Sequence, residues 1–219
     1  MIAAMQTAGR GRRGRRWIAP EGSGLHLSLR LRPTTIHPTT RWTFLTAVAA
    51  TDACQQSGAT GTMIKWPNDL WIGRQKLGGI LVEIKSSASR PPNVMIGLGI
   101  NVHSEAAELQ ELGLDDATSL REACPDSMLS RSRLAADFLQ EFDRRLRQLD
   151  GEQGWSKLRE AWLRRAPMAQ GQKVRLLEQG AETTGATTDG IDDEGALRVR
   201  LDDGSIRRVL QVESVRYED

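Results

Sequence analysis

From Gly24 to Leu31 apolar and polar residues alternate (Gly-Leu-His-Leu-Ser-Leu-Arg-Leu), the period of a half-buried strand. Thr39 or Thr40 can cap a helix running to about Ser57, with Trp42, Leu45, Ala49 and Ala53 on one face and Gly58 as its stop. Short strands are predicted at 63–65, 70–72 and 79–84, and 94–100, nearly all apolar plus glycine, reads as a central, buried strand. Leu134, Phe138, Phe142, Leu146 and Leu149 recur at three and four residues, an amphipathic helix on whose wet face Glu141 is placed to pair with Arg145. A further helix over Gly154–Arg165 turns Trp155, Leu158 and Trp162 inward and is ended by Pro167.

Beyond Pro167 the pattern changes. Short strands at 174–177, 183–188, 197–201, 206–209 and 212–217 are separated by turns such as Asp193-Glu194-Gly195 and Asp202-Asp203-Gly204. This predicts a small all-β barrel of about fifty residues. The expected organisation is therefore two domains: an α+β unit with a mixed sheet and packed helices over 1–166, and a β unit over 167–219. At the other end, a strand-like apolar segment starts at residue 1 and runs within a few residues into a loop of arginines.

That loop reads Gly-Arg-Gly-Arg-Arg-Gly-Arg-Arg over residues 9–16 and is followed by Trp17. Such runs serve as nucleic-acid or localisation patches, but the chain as a whole is balanced, with 30 Lys plus Arg against 28 Asp plus Glu. The positive charge is local, which favours an anion site whose guanidinium forks meet carboxylate or phosphate. Cys54 and Cys124 show no CxxC spacing and are expected to be reduced. No stretch approaches the roughly 20 apolar residues of a membrane span, nor does the N-terminus carry a signal-peptide apolar region, so the expected location is the cytoplasm.

Three other segments carry chemistry. In Lys65-Trp66-Pro67-Asn68-Asp69-Leu70 a lysine precedes a rigid Trp-Pro turn with an amide and a carboxylate beside it. A turn whose Asn and Asp bond locally accounts for it equally well. Lys76-Leu77-Gly78-Gly79-Ile80-Leu81-Val82-Glu83 opens a strand with paired glycines, which allow close backbone approach or mark a bulge. Gly97-Leu98-Gly99-Ile100-Asn101 ends an apolar strand in an amide able to read a polar ligand edge.

Taken together, Gln6 to Arg15 with Trp17, Lys65 to Leu70, Lys76 to Glu83 and Gly97 to Asn101 closely resemble, in order and spacing, the catalytic domain of the biotin protein ligases (biotin–[acetyl-CoA-carboxylase] ligases). Residues 190–197 and 212–216 resemble that family's C-terminal SH3-like domain. The resemblance implies a class II synthetase-like fold that joins biotin to ATP as biotinyl-5′-AMP and then transfers biotin to a lysine of a biotin carrier protein. It places Gln6, Arg10 and Arg12 near biotin and the adenylate phosphate, counts Gly9 among the cofactor-binding residues, and turns Arg13 and Arg15 towards the nucleotide. Trp17 would stack on adenine, with Asn101 on its edge. Lys65 would stabilise charge at the α-phosphate, Lys76 would be a second cation, and Lys65, Lys76 and Arg12 would form the catalytic set. Asn68 and Asp69 would shape the site, and Gly79 would let the biotin ring approach.

His26, His37 and His103 have no ligand spacing, so no resident metal site is expected and Mg²⁺ should arrive with ATP. The absence of a Walker A signature leaves phosphate binding to side chains and the glycine loop. The glycines between the arginines predict a loop that orders over the adenylate as a lid. Relative to the family pattern, the chain begins downstream of a Ser-Thr element that helps bind biotin and of any winged-helix domain. The expectation is an N-terminally incomplete catalytic domain with a misassigned start, weak biotin binding as written and no DNA operator. Acetyl-CoA carboxylase's biotin carrier is the expected partner, and a homodimer is compatible with the pattern. The competing readings are a lipoate or octanoate ligase-like acyltransferase and an Arg/Gly-loop nucleic-acid-binding protein. A non-catalytic scaffold that keeps the fold also remains open.

Overall fold

A computed structural model gives the fold and describes residues 1–35, 37–87, 90–125, 129–178, 181–210 and 214–218. In chain order the elements are β1 (Ile2–Ala3), β2 (Gly24–Leu31), α1 (Thr39–Gln56), β3 (Thr62–Lys65), β4 (Asp69–Ile72), β5 (Gln75–Ser87) and β6 (Arg90–Asn101). Then come α2 (Ala106–Glu111), α3 (Leu120–Ala123), α4 (Arg131–Leu149) and α5 (Gly154–Arg165). The chain ends in β7 (Gln170–Glu178), β8 (Ala181–Ile191), β9 (Leu197–Leu201), β10 (Ile206–Val209) and β11 (Ser214–Tyr217). The class is α+β, as the patterns predict.

The first sheet has the order β1-β2-β6-β5-β4-β3, and each of its ladders is antiparallel. The one parallel contact among the described residues at this sheet is an isolated bridge, Lys76 to Ala117. Antiparallel sheets can bury one face and leave the other open, and β6 does so residue by residue. Val94, Ile96, Leu98 and Ile100 are buried, whereas Met95, Gly97 and Gly99 between them are only half-buried. The buried face joins one core with α1, α4 and α5.

Helix α1 starts and stops where the pattern predicts, but neither threonine caps it. Its N-cap is Pro38, with no side-chain cap bond. Nor does it bury one face only: Trp42 and every residue from Phe44 to Cys54 are buried, because the sheet, α4 and α5 surround it. This burial explains a second difference. Arg145 does not pair with Glu141; it turns inward to Asp52 of α1, which also accepts from Arg165 Nε at 2.5 Å, while Glu141 pairs with Arg144. A buried carboxylate needs compensating charge more than an exposed helix face needs a salt bridge.

The C-terminal strands form an antiparallel sheet ordered β10-β9-β8-β7-β11. Among the described residues β10 and β11 do not pair with each other, so the expected barrel is an open sheet. Val212 and Glu213, the predicted start of the last strand, lie outside the described residues. Helices α2 and α3 have no counterpart in the sequence reading; at six and four residues they are too short for a 3.6-residue period to show. Among the described residues no helix is long and apolar enough to cross a membrane.

Candidate active site

The open face of the first sheet is the floor of a cavity of about 490 Å³, within the usual size range of small-molecule sites. Directly paired residues in an antiparallel sheet share a face, and one row of pairs crosses the whole sheet: Lys65–Asp69–Gly79–Gly99–His26–Ala3. Two glycines at its centre leave the backbone bare between a charged wall and β2. Trp17 lies on this bare patch. A Cβ at Gly99 would sit 2.6 Å from the indole Cε2, and one at Gly79 would be 3.5 Å from Cζ3. A biotin ring can approach Gly79 closely only if the indole shifts from this position.

The wall is the β3–β4 hairpin. Ile64 and Leu70 point into the core, which turns their neighbours Lys65 and Asp69 to the open face as a cross-strand pair. Trp66 packs the other way, buried, its Nε1 donating to Gly195 O at 3.3 Å. Asn68 is fixed by two bonds to Ile80, donating from Nδ2 to Ile80 O at 2.9 Å and accepting at its own carbonyl from Ile80 N at 2.9 Å. Asp69 Oδ1 accepts from Lys76 Nζ at 2.7 Å. Lys65 Nζ sits 3.7 Å from the centroid of the Trp71 ring. Burial is the main cause that pushes the Lys65 ammonium down to about 8; Lys76 lowers it further, and Asp69 and Asp116 act in the opposite sense.

The arginine loop is folded over this wall. Gly11 N donates to Arg15 O at 2.7 Å, Trp17 N donates to Gly9 O at 3.0 Å, and Arg10 bridges to Arg16. Arg10 makes a bidentate pair with Glu83, at 3.1 and 2.7 Å. Arg12 reaches into the cavity and donates to Asn68 Oδ1 at 3.0 Å. Burial, followed by the charge of Arg13, pulls the Arg12 guanidinium below its ordinary value. Holding that many cations together is costly unless an anion joins them.

Of the residues named from sequence, Gln6, Arg10, Arg12, Arg13, Arg15, Trp17, Lys65, Asn68, Asp69, Lys76 and Gly79 all line the cavity. Gly9 and Asn101 are not among the lining residues. Gly9 lies behind Trp17, so close that a Cβ would collide with the Trp17 carbonyl. Asn101 is buried at the end of β6, donating from Nδ2 to Thr118 O at 3.0 Å, while its Oδ1 has no partner among the described residues. The sequence reading misses Trp71, Asp116 and Val215 of the lining. Alternation from Asp69 was available as a signal for Trp71. Asp116 and Val215 arrive from distant segments, with no local pattern to reveal them.

Residues 1–101 match the biotin/lipoate A/B protein ligase family, and residues 170–210 match the biotin protein ligase C terminal domain. The chain is 34% identical to the bifunctional ligase/repressor BirA of Bacillus subtilis over 93% of its own length and 62% of that protein. It thus spans somewhat under two thirds of that relative. It is 34% identical to the biotin–[acetyl-CoA-carboxylase] ligase of Paracoccus denitrificans over 91% of this chain and 83% of the relative. A solved structure of the biotin protein ligase from Aquifex aeolicus in complex with biotin and ATP superposes with a TM-score of 0.84 at 26% identity, covering 99% of this chain and 88% of that one. Fold, cavity and sequence agree: the chain belongs to the biotin protein ligase family.

Proposed function

We propose that the chain activates biotin with ATP and transfers it to a lysine of a biotin carrier protein, the acetyl-CoA carboxylase carrier being the first partner to test. The observation that carries this reading is the row Lys65–Asp69–Gly79–Gly99 beneath the arginine loop. Its two glycines give a floor free of their own side chains, which the biotin ring would occupy once the Trp17 indole shifts, beside cations suited to a carboxylate and a triphosphate. In the first step a biotin carboxylate oxygen bonds to the α-phosphorus, the bond to the β-phosphate oxygen breaks, and pyrophosphate leaves. Lys65 and Arg12 neutralise the charge that builds on the α-phosphoryl oxygens, and Lys76, oriented by Asp69, brings the carboxylate up against phosphate repulsion. In the second step the carrier's lysine, as the free amine, attacks the biotinyl carbonyl, and AMP departs with the bonding pair.

Asn101 Oδ1, without a partner among the described residues, is an acceptor suited to the exocyclic amine of adenine, and because it is buried outside the cavity lining that role requires the end of β6 to open when nucleotide binds. No group of three or more metal-ligating side chains occurs among the described residues. On this reading Mg²⁺ would arrive on the phosphates of ATP, where it would supply charge neutralisation. On this reading residues 1–166 are the catalytic unit and 167–219 an appended SH3-like unit. The enzyme is cytoplasmic and takes small molecules and a carrier domain as partners; a homodimer is compatible with the sheet edge at β1.

Incubation with biotin, ATP, Mg²⁺ and a carrier domain should add one biotinyl group to a single carrier lysine by mass spectrometry. A carrier left unmodified while a control ligase labels it would contradict the reading. The charged Lys65 is required, and it loses its proton as pH rises through about 8. Adenylation kcat/KM should therefore be flat below that pH and fall about tenfold per unit above it. A profile still level at pH 9.5 would rule Lys65 out as the titrating cation.

A further inference from the structure

Lys65 is flanked from a second side. Its Nζ lies 5.2 Å from the centroid of the Tyr217 ring, in addition to the 3.7 Å to Trp71. Tyr217 is in β11, on the C-terminal sheet, paired with Val174 of β7. Two residues earlier on the same strand face, Val215 lines the cavity, so β11 as a strand belongs to the site. The contact at Trp66 Nε1 and Gly195 O joins the same hairpin to the same sheet. Both ring distances fall within the range of a cation–π contact, and an ammonium held off water gains more from it than an exposed one.

The Tyr217 hydroxyl has a buried oxygen with no partner among the described residues. A hydroxyl of that kind costs free energy, so the ring face, and not the oxygen, is what this position contributes. Lys65 is otherwise faced by Asp69 from β4, Lys76 from β5, Asp116 from the segment after α2, and the arginines of the loop. None of these groups hydrogen-bonds to the Lys65 ammonium among the contacts described. The two rings are the groups that fix its direction.

We propose that Tyr217 is a positioning residue: with Trp71 it forms a two-ring cradle that aims the Lys65 ammonium into the cavity, so that the C-terminal sheet completes the phosphate-facing wall. This rests on the reading of Lys65 as the α-phosphate cation. It gives the C-terminal unit a part in the adenylation step, through one side chain, beyond packing against the hairpin.

The test separates the cradle from the reaction. Competitive labelling of the Lys65 amine with acetic anhydride across pH, read by mass spectrometry on the full chain, reports its titration without any need for activity. Tyr217→Phe keeps the ring and should leave the midpoint near that of the parent chain. Tyr217→Leu keeps apolar cover but removes the ring face, and should move the midpoint to lower pH. In biotin-dependent ATP–pyrophosphate exchange, Tyr217→Phe should retain the parent kcat/KM for ATP. Tyr217→Leu should lose about threefold to thirtyfold, with its basic limb moved the same way. A Leu variant with an unmoved Lys65 midpoint, or equal exchange losses in Phe and Leu, overturns the proposal. If the parent chain shows no exchange, the adenylation reading fails, and the labelling alone still decides the cradle. Should Tyr217→Leu fail to fold, Trp71→Leu is read for the same midpoint shift, and an unmoved midpoint there overturns the proposal equally.

Discussion

Lys65→Met is expected to lower biotin-dependent adenylation by about 10²–10³-fold, the usual loss when one charge-stabilising donor is removed from a water-poor site. Methionine keeps the length and apolar stem, so the two ring faces still have a partner to pack on and the hairpin should hold. Stability should stay level or rise, because burial disfavours the charged amine that the substitution removes. The loss should fall mostly on kcat and less on the KM for ATP, since negative charge on the α-phosphoryl oxygens grows towards the transition state. Steady-state exchange kinetics and a thermal melt check both parts. A loss under tenfold would remove Lys65 from the reacting centre and leave Lys76 or Arg12 in its place.

The second large effect is expected at Arg12. Among the contacts described, Arg10 on Glu83 and Arg12 on Asn68 hold the loop to the body of the site, and of these two arginines Arg12 is the half-buried one. Arg12→Ala removes a half-buried cation and its hydrogen bond while leaving the outer fastening intact. A charge-assisted bond contributes roughly 1.5–3 kcal/mol, so bound biotinyl-5′-AMP should escape about tenfold to a hundredfold faster. Filtration of the preformed complex, with a chase of unlabelled biotin, measures the escape. Released acyl-adenylate reacts with any nearby amine, so a bystander protein such as serum albumin should become biotinylated in the same mixture. Retention equal to that of the parent chain would mean that the loop binds nucleotide without serving as a lid.

What the sequence made legible follows from how local each signal is. Strand β9 and helix α5 are found at their observed bounds because each buries one face and so writes its period into the chain, and β2 is found at its bounds from its alternation although its first four residues are all buried. Helix α1 is found, but its environment is not: beyond the face of Trp42, Leu45, Ala49 and Ala53, Asp52 is buried too, paired with Arg145 and Arg165 from far along the chain. The same rule governs the site. The loop, the hairpin wall and the glycine pair are short contiguous stretches, and their residues do converge on one cavity. Trp17 and Asn101 were given places from resemblance, and here the indole lies on the floor and the amide lies past its edge. Tyr217 could not be read at all, since its partner Lys65 is 152 positions away and only the docking of the second sheet brings them together.

The most direct test is ATP–pyrophosphate exchange on this chain with biotin, lipoate or octanoate as the acid. The account predicts exchange that requires biotin, is not supported by lipoate or octanoate, and falls by about 10²–10³-fold in Lys65→Met. Exchange driven equally by lipoate, or none with biotin under conditions where a control ligase turns over, would contradict it.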